Sequence, residues 1–216
     1  MEIENNILKH HLKNVFFING TAYAGKSTMC AMLAEKYGFY HYAENAHSGE
    51  HRTIANLKQQ PQFCYQRNDW NEFFNRTPEE YEKWIYGGSY EESEMEIIDL
   101  IKISMHQKVI VDTIISVEVL REIADYNQVA ILLSPKSMSV DRFFDRTDKN
   151  DILECIMTTT NPEKTTANFR ACVSQINSEE HYREYSESGF FCLKRGETDT
   201  LIETFQALEK HFGLVI

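Results

Sequence analysis

Eight consecutive residues near the N-terminus have the types and spacing needed to hold a chain of phosphates. Gly20, Gly25, Lys26 and Ser27 occupy the four fixed positions of the pattern G-x-x-x-x-G-K-[ST]. Glycines let the backbone curl until successive N–H groups point toward one anion. A helix beginning near Lys26 would direct the positive end of its dipole at the same anion. The sequence therefore predicts that a nucleoside triphosphate binds here.

The side chains of this phosphate loop, residues 20–27, have separate predicted roles. The predicted nucleotide-binding residues are Gly20, Thr21, Ala22, Tyr23, Ala24, Gly25, Lys26, Ser27 and Thr28. Lys26 is expected to reach the β and γ phosphates as a mobile cation and to assist phosphoryl transfer. The Ser27 hydroxyl is positioned to coordinate magnesium. ATP and Mg²⁺ are the predicted cofactors.

Two carboxylates lie at positions where they could act beside the loop. Asp112 ends the apolar run 109–111, and a carboxylate there is expected to hold Mg²⁺, usually through water; the alternative is a cap for the next helix. Glu44 follows the second predicted strand, at the sheet edge where ligands of open α/β folds gather. It could accept the proton of an attacking hydroxyl as a catalytic base, or it could be a solvated loop residue.

Arg142 and Arg146 are one helical turn apart, so both guanidinium groups could face one anion. We expect them to act as catalytic cations that stabilise charge while the γ phosphate transfers. The alternative is a solvated helix on which Asp141 and Asp145 neutralise the two arginines.

Strands and helices alternate along the chain. Short, largely apolar runs at 15–19, 39–42, 108–112, 129–133 and 190–193 predict buried strands. Helical patterns separate these runs, and the first predicted helix, 27–37, is followed by a capping glycine, Gly38. Such alternation predicts a mainly parallel sheet covered on both faces.

Residues 53–107 form a longer helical insertion between the second and third strands. Thr77-Pro78-Glu79-Glu80 has the composition of a helix start, and Ser89-Tyr90-Glu91-Glu92 repeats it. Gly87-Gly88 is therefore expected to separate two helices.

The insertion is rich in aromatic residues and carries three arginines. Aromatic side chains between Trp70 and Trp84 have helical spacing, which favours a small core for the insertion. Arg52, Arg67 and Arg76 are the predicted substrate-binding cations, although each could equally be a surface residue.

His47-Ser48-Gly49-Glu50-His51 matches the H-x-x-E-H pattern of a zinc protease helix. We do not expect a zinc site, because Gly49 interrupts the pattern and no third ligand is indicated. The segment is predicted to be a polar loop after the second strand.

Composition limits the classes of function. The 33 acidic and 22 basic side chains give a formal charge of -11, which disfavours nucleic acid and anionic membranes as partners. Five cysteines without C-x-x-C spacing favour a reduced, cytoplasmic setting. The sequence contains no run of about 18 apolar residues, so no membrane-spanning helix is predicted. With 216 residues, we expect one domain covering 1–216.

The order of these features along the chain resembles that of the P-loop small-molecule and nucleotide kinases. The features are the phosphate loop, the acidic residue after strand two, the insertion, the strand that ends at Asp112 and the later arginines. Shikimate kinase, gluconate kinase, adenylate kinase and the chloramphenicol phosphotransferase group belong to this family. The resemblance implies a three-layer αβα P-loop NTPase fold with strand order 2-3-1-4-5. It also implies Mg-ATP as phosphate donor, a helical substrate lobe near 44–105 and a lid near 136–150. The expected function is transfer of the γ-phosphate of ATP to a small metabolite or nucleotide.

Two alternatives share the phosphate loop. A nucleotide-hydrolysing switch would pass the γ-phosphate to water, and a regulatory protein would bind ATP without transfer. Thr113-Ile114-Ile115 follows Asp112, so the glycine that a switch requires three positions after the aspartate is missing. The sequence favours the kinase.

Overall fold

The computed structural model describes residues 3–135, 137–141, 143–145, 150–196 and 200–215. Its centre is a five-stranded sheet in which every neighbouring pair of strands is parallel. The strands are β1 (Val15–Gly20), β2 (Tyr40–Tyr42), β3 (Val109–Asp112), β4 (Val129–Leu133) and β5 (Phe191–Lys194). Their order is β2-β3-β1-β4-β5, so the predicted α/β class and the strand order 2-3-1-4-5 of the P-loop kinases are confirmed.

Helices precede, connect and follow the strands. They are α1 (Asn5–His11), α2 (Lys26–Tyr37), α3 (Ser48–Ile54), α4 (Trp70–Phe74), α5 (Pro78–Ser104), α6 (Val117–Ile123), α7 (Asn150–Met157), α8 (Pro162–Ile176), α9 (Glu179–Ser186) and α10 (Leu201–His211). Among the helices described, none is long and apolar enough to cross a membrane.

Alternate residues of the central strand face opposite helical layers, which explains why its sequence is apolar without interruption. Phe16 and Ile18 of β1 pack with α2 and α10 on one side of the sheet. Phe17 packs on the other side with Leu100 of α5 and Leu120 of α6. The sheet is thus the middle of three layers, and its carboxyl edge is left to form a site.

A separate aromatic core holds the insertion together. Phe169 of α8 is 1% exposed, and its ring centroid lies 5.1 Å from that of Phe74 and 5.4 Å from that of Tyr81. This confirms that insertion aromatics form a small core. The partners from α7 and α8, such as Ile156, come from the second half of the chain, where the sequence did not indicate a contact.

The prediction that Gly87-Gly88 separates two helices is wrong, because α5 is continuous over 27 residues. A Cβ on Gly87 would lie 2.9 Å from the Cγ of Gln62, so the glycine allows the segment before α4 to approach the helix. One turn later, Glu91 Oε2 accepts hydrogen bonds of 2.8 Å from the backbone N–H groups of Gln62 and Phe63. The glycine pair allows close packing of two backbone segments.

The predicted loop at 47–51 is also wrong, because α3 begins at Ser48. His51 is the buried residue of this helix, with Nδ1 2.8 Å from Glu92 Oε1 and Nε2 3.0 Å from Asp99 Oδ2. Burial would lower the pKa of His51, but its hydrogen bonds to these two carboxylates raise it overall. The histidine therefore ties α3 to α5.

The same cluster contains a carboxyl group that resists ionisation. Desolvation, followed by the charge of Glu92, raises the pKa of Glu96 to about 8. When folding raises the pKa of a carboxyl group, the group's contribution to the free energy of unfolding is fully present below the pKa that it has in the unfolded chain. This contribution is lost as the pH rises through the pKa that the group has in the folded protein. Glu96 therefore costs the fold stability in neutral and weakly alkaline solution.

Glu96→Gln should be more stable than wild type at about pH 8.5, by on the order of 1 kcal/mol or more, and nearly equal to it at about pH 5. Urea unfolding at the two pH values measures this difference. Glu94→Gln, at an exposed position of the same helix, is the control and should show no such pH dependence. A Glu96→Gln effect that is identical at both pH values would contradict the assignment.

Candidate active site

The phosphate loop begins at the end of the central strand and ends where α2 starts. Gly20 and Gly25 have positive φ angles of 126° and 88°, and Tyr23 between them has 65°. A Cβ on Gly20 would lie 1.9 Å from the carbonyl oxygen of Leu132. Only glycine lets β1 lie against β4 at this point while the backbone turns into the loop.

Contacts with the end of β4 fix the outer side of the loop. The N–H of Thr21 donates to the Leu132 carbonyl at 3.1 Å, and the N–H of Ser134 donates to the Thr21 hydroxyl oxygen at 2.8 Å. The Ser134 hydroxyl donates to the carbonyl oxygen of Ala22 at 2.6 Å. These contacts hold the loop in shape, and a loop held by the protein needs little reorganisation to bind an anion.

Positive charge is concentrated at the inner side of the loop. Lys26 Nζ lies 3.4 Å from the carbonyl oxygen of Gly20 and 3.3 Å from that of Thr21, so the ammonium group extends back across the loop. Ser27 and Thr28 are exposed on the first turn of the 12-residue helix α2. The lysine and the helix N-terminus together can hold a phosphate chain in a protein whose net charge is negative.

Asp112 has the surroundings expected of a metal ligand. It is 3% exposed at the end of β3, next to Ile18 of β1, and its Oδ1 has no hydrogen-bond partner among the described residues. A buried carboxylate oxygen without a partner is costly unless a cation approaches it. Burial and the Asp112 charge raise the pKa of the Cys30 thiol, while Lys26 lowers it, so both charges lie near this thiol inside α2. The carboxylate of Asp112 and the hydroxyl of Ser27 have the chemistry that would hold Mg²⁺.

A cavity of about 560 Å³, named here the acceptor cavity, opens beside the phosphate loop. Glu44 and Asn45, both exposed, lie at its wall after β2. Most of the remaining described wall consists of four tyrosines and four isoleucines, namely Tyr81, Tyr86, Tyr182, Tyr185, Ile85, Ile114, Ile152 and Ile176. The loop, the predicted base and an apolar wall thus share one space.

Two residues of this wall are held rigidly. The Tyr86 hydroxyl donates to the carbonyl oxygen of Ile176 at 2.8 Å, and its ring centroid lies 4.4 Å from that of His181. His181 Nε2 in turn lies 2.5 Å from Glu82 Oε1. The Tyr86 ring is fixed at both its edge and its face.

A second cavity of about 460 Å³, named here the nucleoside cavity, adjoins the loop at Thr21. Lys194, the last residue of β5, and Arg195, which follows it, line this cavity together with Ser134 after β4. Arg195 Nη1 also donates to the carbonyl oxygen of Tyr23 at 3.2 Å, which connects this wall to the loop. Arg195 was not among the predicted site residues, although a cation directly after the strand beside β4 could have indicated a residue at the ligand-binding edge of the sheet.

The three predicted substrate arginines lie on aromatic rings of the insertion. Arg52 donates from Nη1 to the carbonyl oxygen of Phe63 at 2.8 Å, with its guanidinium carbon 4.7 Å from the centroid of that ring. Arg76 lies 4.0 Å from the ring centroid of Tyr65.

Arg67 lies 5.5 Å from the ring centroid of Phe73 and 5.8 Å from that of Trp84. None of the three arginines is among the described residues that line the acceptor cavity. The structure brings Lys26 and Glu44 to that cavity. Arg142 and Arg146 lie outside the described residues, as does part of the predicted lid at 136–150.

No protein-family model matches this chain, and no curated protein matches it. Among solved structures, the chain is similar to a dephospho-CoA kinase from Campylobacter jejuni, with 18% sequence identity and a TM-score of 0.43. The similarity covers 94% of this chain and 99% of the other. A likeness at this level concerns the fold, so the chemistry of this chain rests on its own residues.

Gly20→Ala should destabilise the protein by about 3 kcal/mol or more, because the added methyl group collides with the backbone of β4. Gly25→Ala is the matched control. Gly25 also has a positive φ, but its Cβ would lie 3.4 Å from its nearest neighbour, the Nη1 of Arg195. We expect a cost of only about 1–2 kcal/mol there. Urea unfolding measures both, and equal losses would show that the contact with Leu132 is unimportant.

Proposed function

We propose that this protein is an ATP-dependent phosphotransferase that moves the γ-phosphoryl group of ATP to a hydroxyl of a small molecule. The observation that carries the proposal is the position of the phosphate loop between two cavities. Thr21 lines both of them, while Lys26 and Glu44 line the acceptor cavity. A donor and an acceptor could therefore bind on either side of one loop, which is the arrangement that direct transfer requires.

The donor would lie with its base and ribose in the nucleoside cavity and its phosphates along the loop. Lys194 and Arg195 provide positive charge at this end, and Tyr182 provides an aromatic wall. The N-terminus of α2 and Lys26 would hold the β and γ phosphates.

In the proposed reaction the acceptor hydroxyl oxygen forms a bond to the γ phosphorus. The bond between that phosphorus and the oxygen bridging to the β phosphate breaks, and ADP leaves with the electron pair. Glu44 takes the proton of the hydroxyl. Lys26 stabilises charge on the β and γ oxygens, and this positioning and charge stabilisation supply most of the acceleration.

Ser27 and Asp112 would hold Mg²⁺ in this site, since Asp112 offers a buried carboxylate oxygen without a hydrogen-bond partner among the described residues. When bound, the ion would neutralise phosphate charge. Arg142 and Arg146 remain the predicted cations for the transferring group. A hydrolysing switch would not need an apolar cavity beside the loop, so the acceptor cavity favours transfer over hydrolysis.

Lys26→Ala should reduce phosphoryl transfer by about 100-fold or more and weaken ATP binding, because the cation contacting the transferring group is lost. Turnover assays and calorimetric titration with ATP measure the two effects. Lys58→Ala, at an exposed position outside both cavities, is the control and should behave as wild type. A folded Lys26→Ala protein with wild-type turnover would exclude the proposed site.

Asp112→Asn should raise the Mg²⁺ concentration needed for half-maximal ATP binding by about 10-fold or more, because a neutral amide is a poorer ligand for this cation. The Mg²⁺ dependence of ATP affinity, measured by calorimetry, tests this without relying on turnover. Asp125→Asn, an exposed residue paired with Lys9, is the control. An unchanged Mg²⁺ dependence in Asp112→Asn would make Asp112 a structural residue.

A further inference from the structure

We infer that the acceptor is an uncharged molecule built on a planar ring, and not a phosphate ester. This inference rests on the proposed function, since it concerns the molecule that receives the phosphoryl group. It comes from the charges and the surfaces of the acceptor cavity.

The acceptor cavity has little positive charge for a second anion. Among its described lining residues, Lys26 is the one lysine or arginine, and the donor phosphates would occupy it. The carboxylate in the wall is Glu44, and His181 is already held by Glu82 at 2.5 Å. A phosphate ester bound here would face Glu44 without a compensating cation among the described residues. Like charges about 4 Å apart near a protein surface repel by roughly 1–4 kcal/mol.

The cations of the insertion are directed elsewhere. Arg76 lies over Tyr65, Arg67 over Phe73, and Arg52 donates to the Phe63 carbonyl. Their guanidinium groups contribute to the packing of the insertion through cation–π contacts. None of the three lines the acceptor cavity, so the substrate lobe does not deliver them to the space where an acceptor phosphate would lie.

The surfaces that line the cavity suit a flat, apolar ring. Outside the phosphate loop, four tyrosines and four isoleucines form most of its described wall. Tyr86 is held at its hydroxyl by Ile176 and at its face by His181, so its ring is preorganised. Rigid aromatic and branched aliphatic walls bind planar rings at low entropic cost. Asn45 and Tyr182 add polar groups that can orient a hydroxyl.

Matched pairs of probes test this inference without knowledge of the natural acceptor. The pairs are adenosine and adenosine monophosphate, uridine and uridine monophosphate, and benzyl alcohol and benzyl phosphate. The protein is first saturated with a non-hydrolysable ATP analogue and Mg²⁺, so that probes cannot enter the donor site. NMR of labelled isoleucine methyl groups then locates binding, because Ile85, Ile114, Ile152 and Ile176 line the cavity. Ile54 and Ile202 are exposed and serve as reference signals.

We expect the uncharged member of at least two pairs to shift the cavity methyl groups and to bind about 10-fold or more tightly than its phosphorylated partner, a difference of about 1.4 kcal/mol. Any other pattern overturns the inference. This includes equal or tighter binding of the phosphorylated members and the absence of cavity shifts with every uncharged probe.

Glu44→Gln gives a second readout of the charge effect. Removing this carboxylate should strengthen binding of the phosphorylated probes by about 5-fold and change that of the uncharged probes by less than about 2-fold. Glu50→Gln, at an exposed position outside the cavity, is the control and should change neither. Equal effects of Glu44→Gln on both classes of probe would contradict the electrostatic basis of the inference.

Failure of this inference can be told apart from failure of the proposed function. Affinity for the ATP analogue is measured first, in wild type and in Lys26→Ala. If the analogue binds in a Lys26-dependent manner but the uncharged probes do not enter the cavity, the phosphotransferase proposal stands and the acceptor class is wrong. If the analogue does not bind, the proposed function itself fails.

Discussion

The close approach of β1 and β4 at Gly20 is the constraint on which the site depends. Because this residue has no Cβ, the central strand can lie against the Leu132 carbonyl and turn at once into the phosphate loop. Thr21 and Ser134 then fix the loop to the end of β4. The parallel order of the strands brings Glu44, Asp112 and Arg195 to the same edge of the sheet. The geometry of the candidate site is thus a consequence of the close approach of β1 and β4 at the centre of the sheet.

Charge is distributed unevenly around this edge. The chain has a formal charge of -11, yet the loop offers an ammonium group and a helix N-terminus, and the nucleoside cavity offers Lys194 and Arg195. Outside the loop, the described wall of the acceptor cavity has Glu44 together with a majority of tyrosine and isoleucine side chains. Under our proposal, such a division would attract a polyanionic donor to one side and admit an uncharged acceptor on the other. Local cations and dipoles, not the net charge, decide which ligand binds where.

Features set by local sequence could be predicted, and features set by tertiary packing could not. The buried strands and the phosphate loop follow from continuous apolar runs and from glycines at fixed spacing. Gly87-Gly88 has the composition of a helix break, but contact with Gln62 gives the pair a packing role inside α5. The α3 segment has weak helical signals and is fixed by His51 between Glu92 and Asp99.

Long-range contacts likewise decided the candidate site. The sequence indicated Lys26 through the spacing of the phosphate loop. It indicated Glu44 and Asp112 because each follows or ends a strand, and parallel strands end at one edge of the sheet. Arg52 and Arg76 lie in the insertion, where aromatic partners distant in the sequence determine their direction. Residue type alone therefore indicated that these arginines bind the acceptor, whereas packing places their guanidinium groups over aromatic side chains.

The central claim is that the γ-phosphoryl group passes to a small molecule and not to water. It is tested most directly by incubating the protein with Mg²⁺, a pool of small metabolites and ATP labelled in its γ-phosphoryl group, and then separating the products. Our account predicts that the label appears in an organic phosphate, depends on the metabolite pool and is lost with Lys26→Ala. Label found only in inorganic phosphate, or retained in ATP whatever metabolites are supplied, would contradict it.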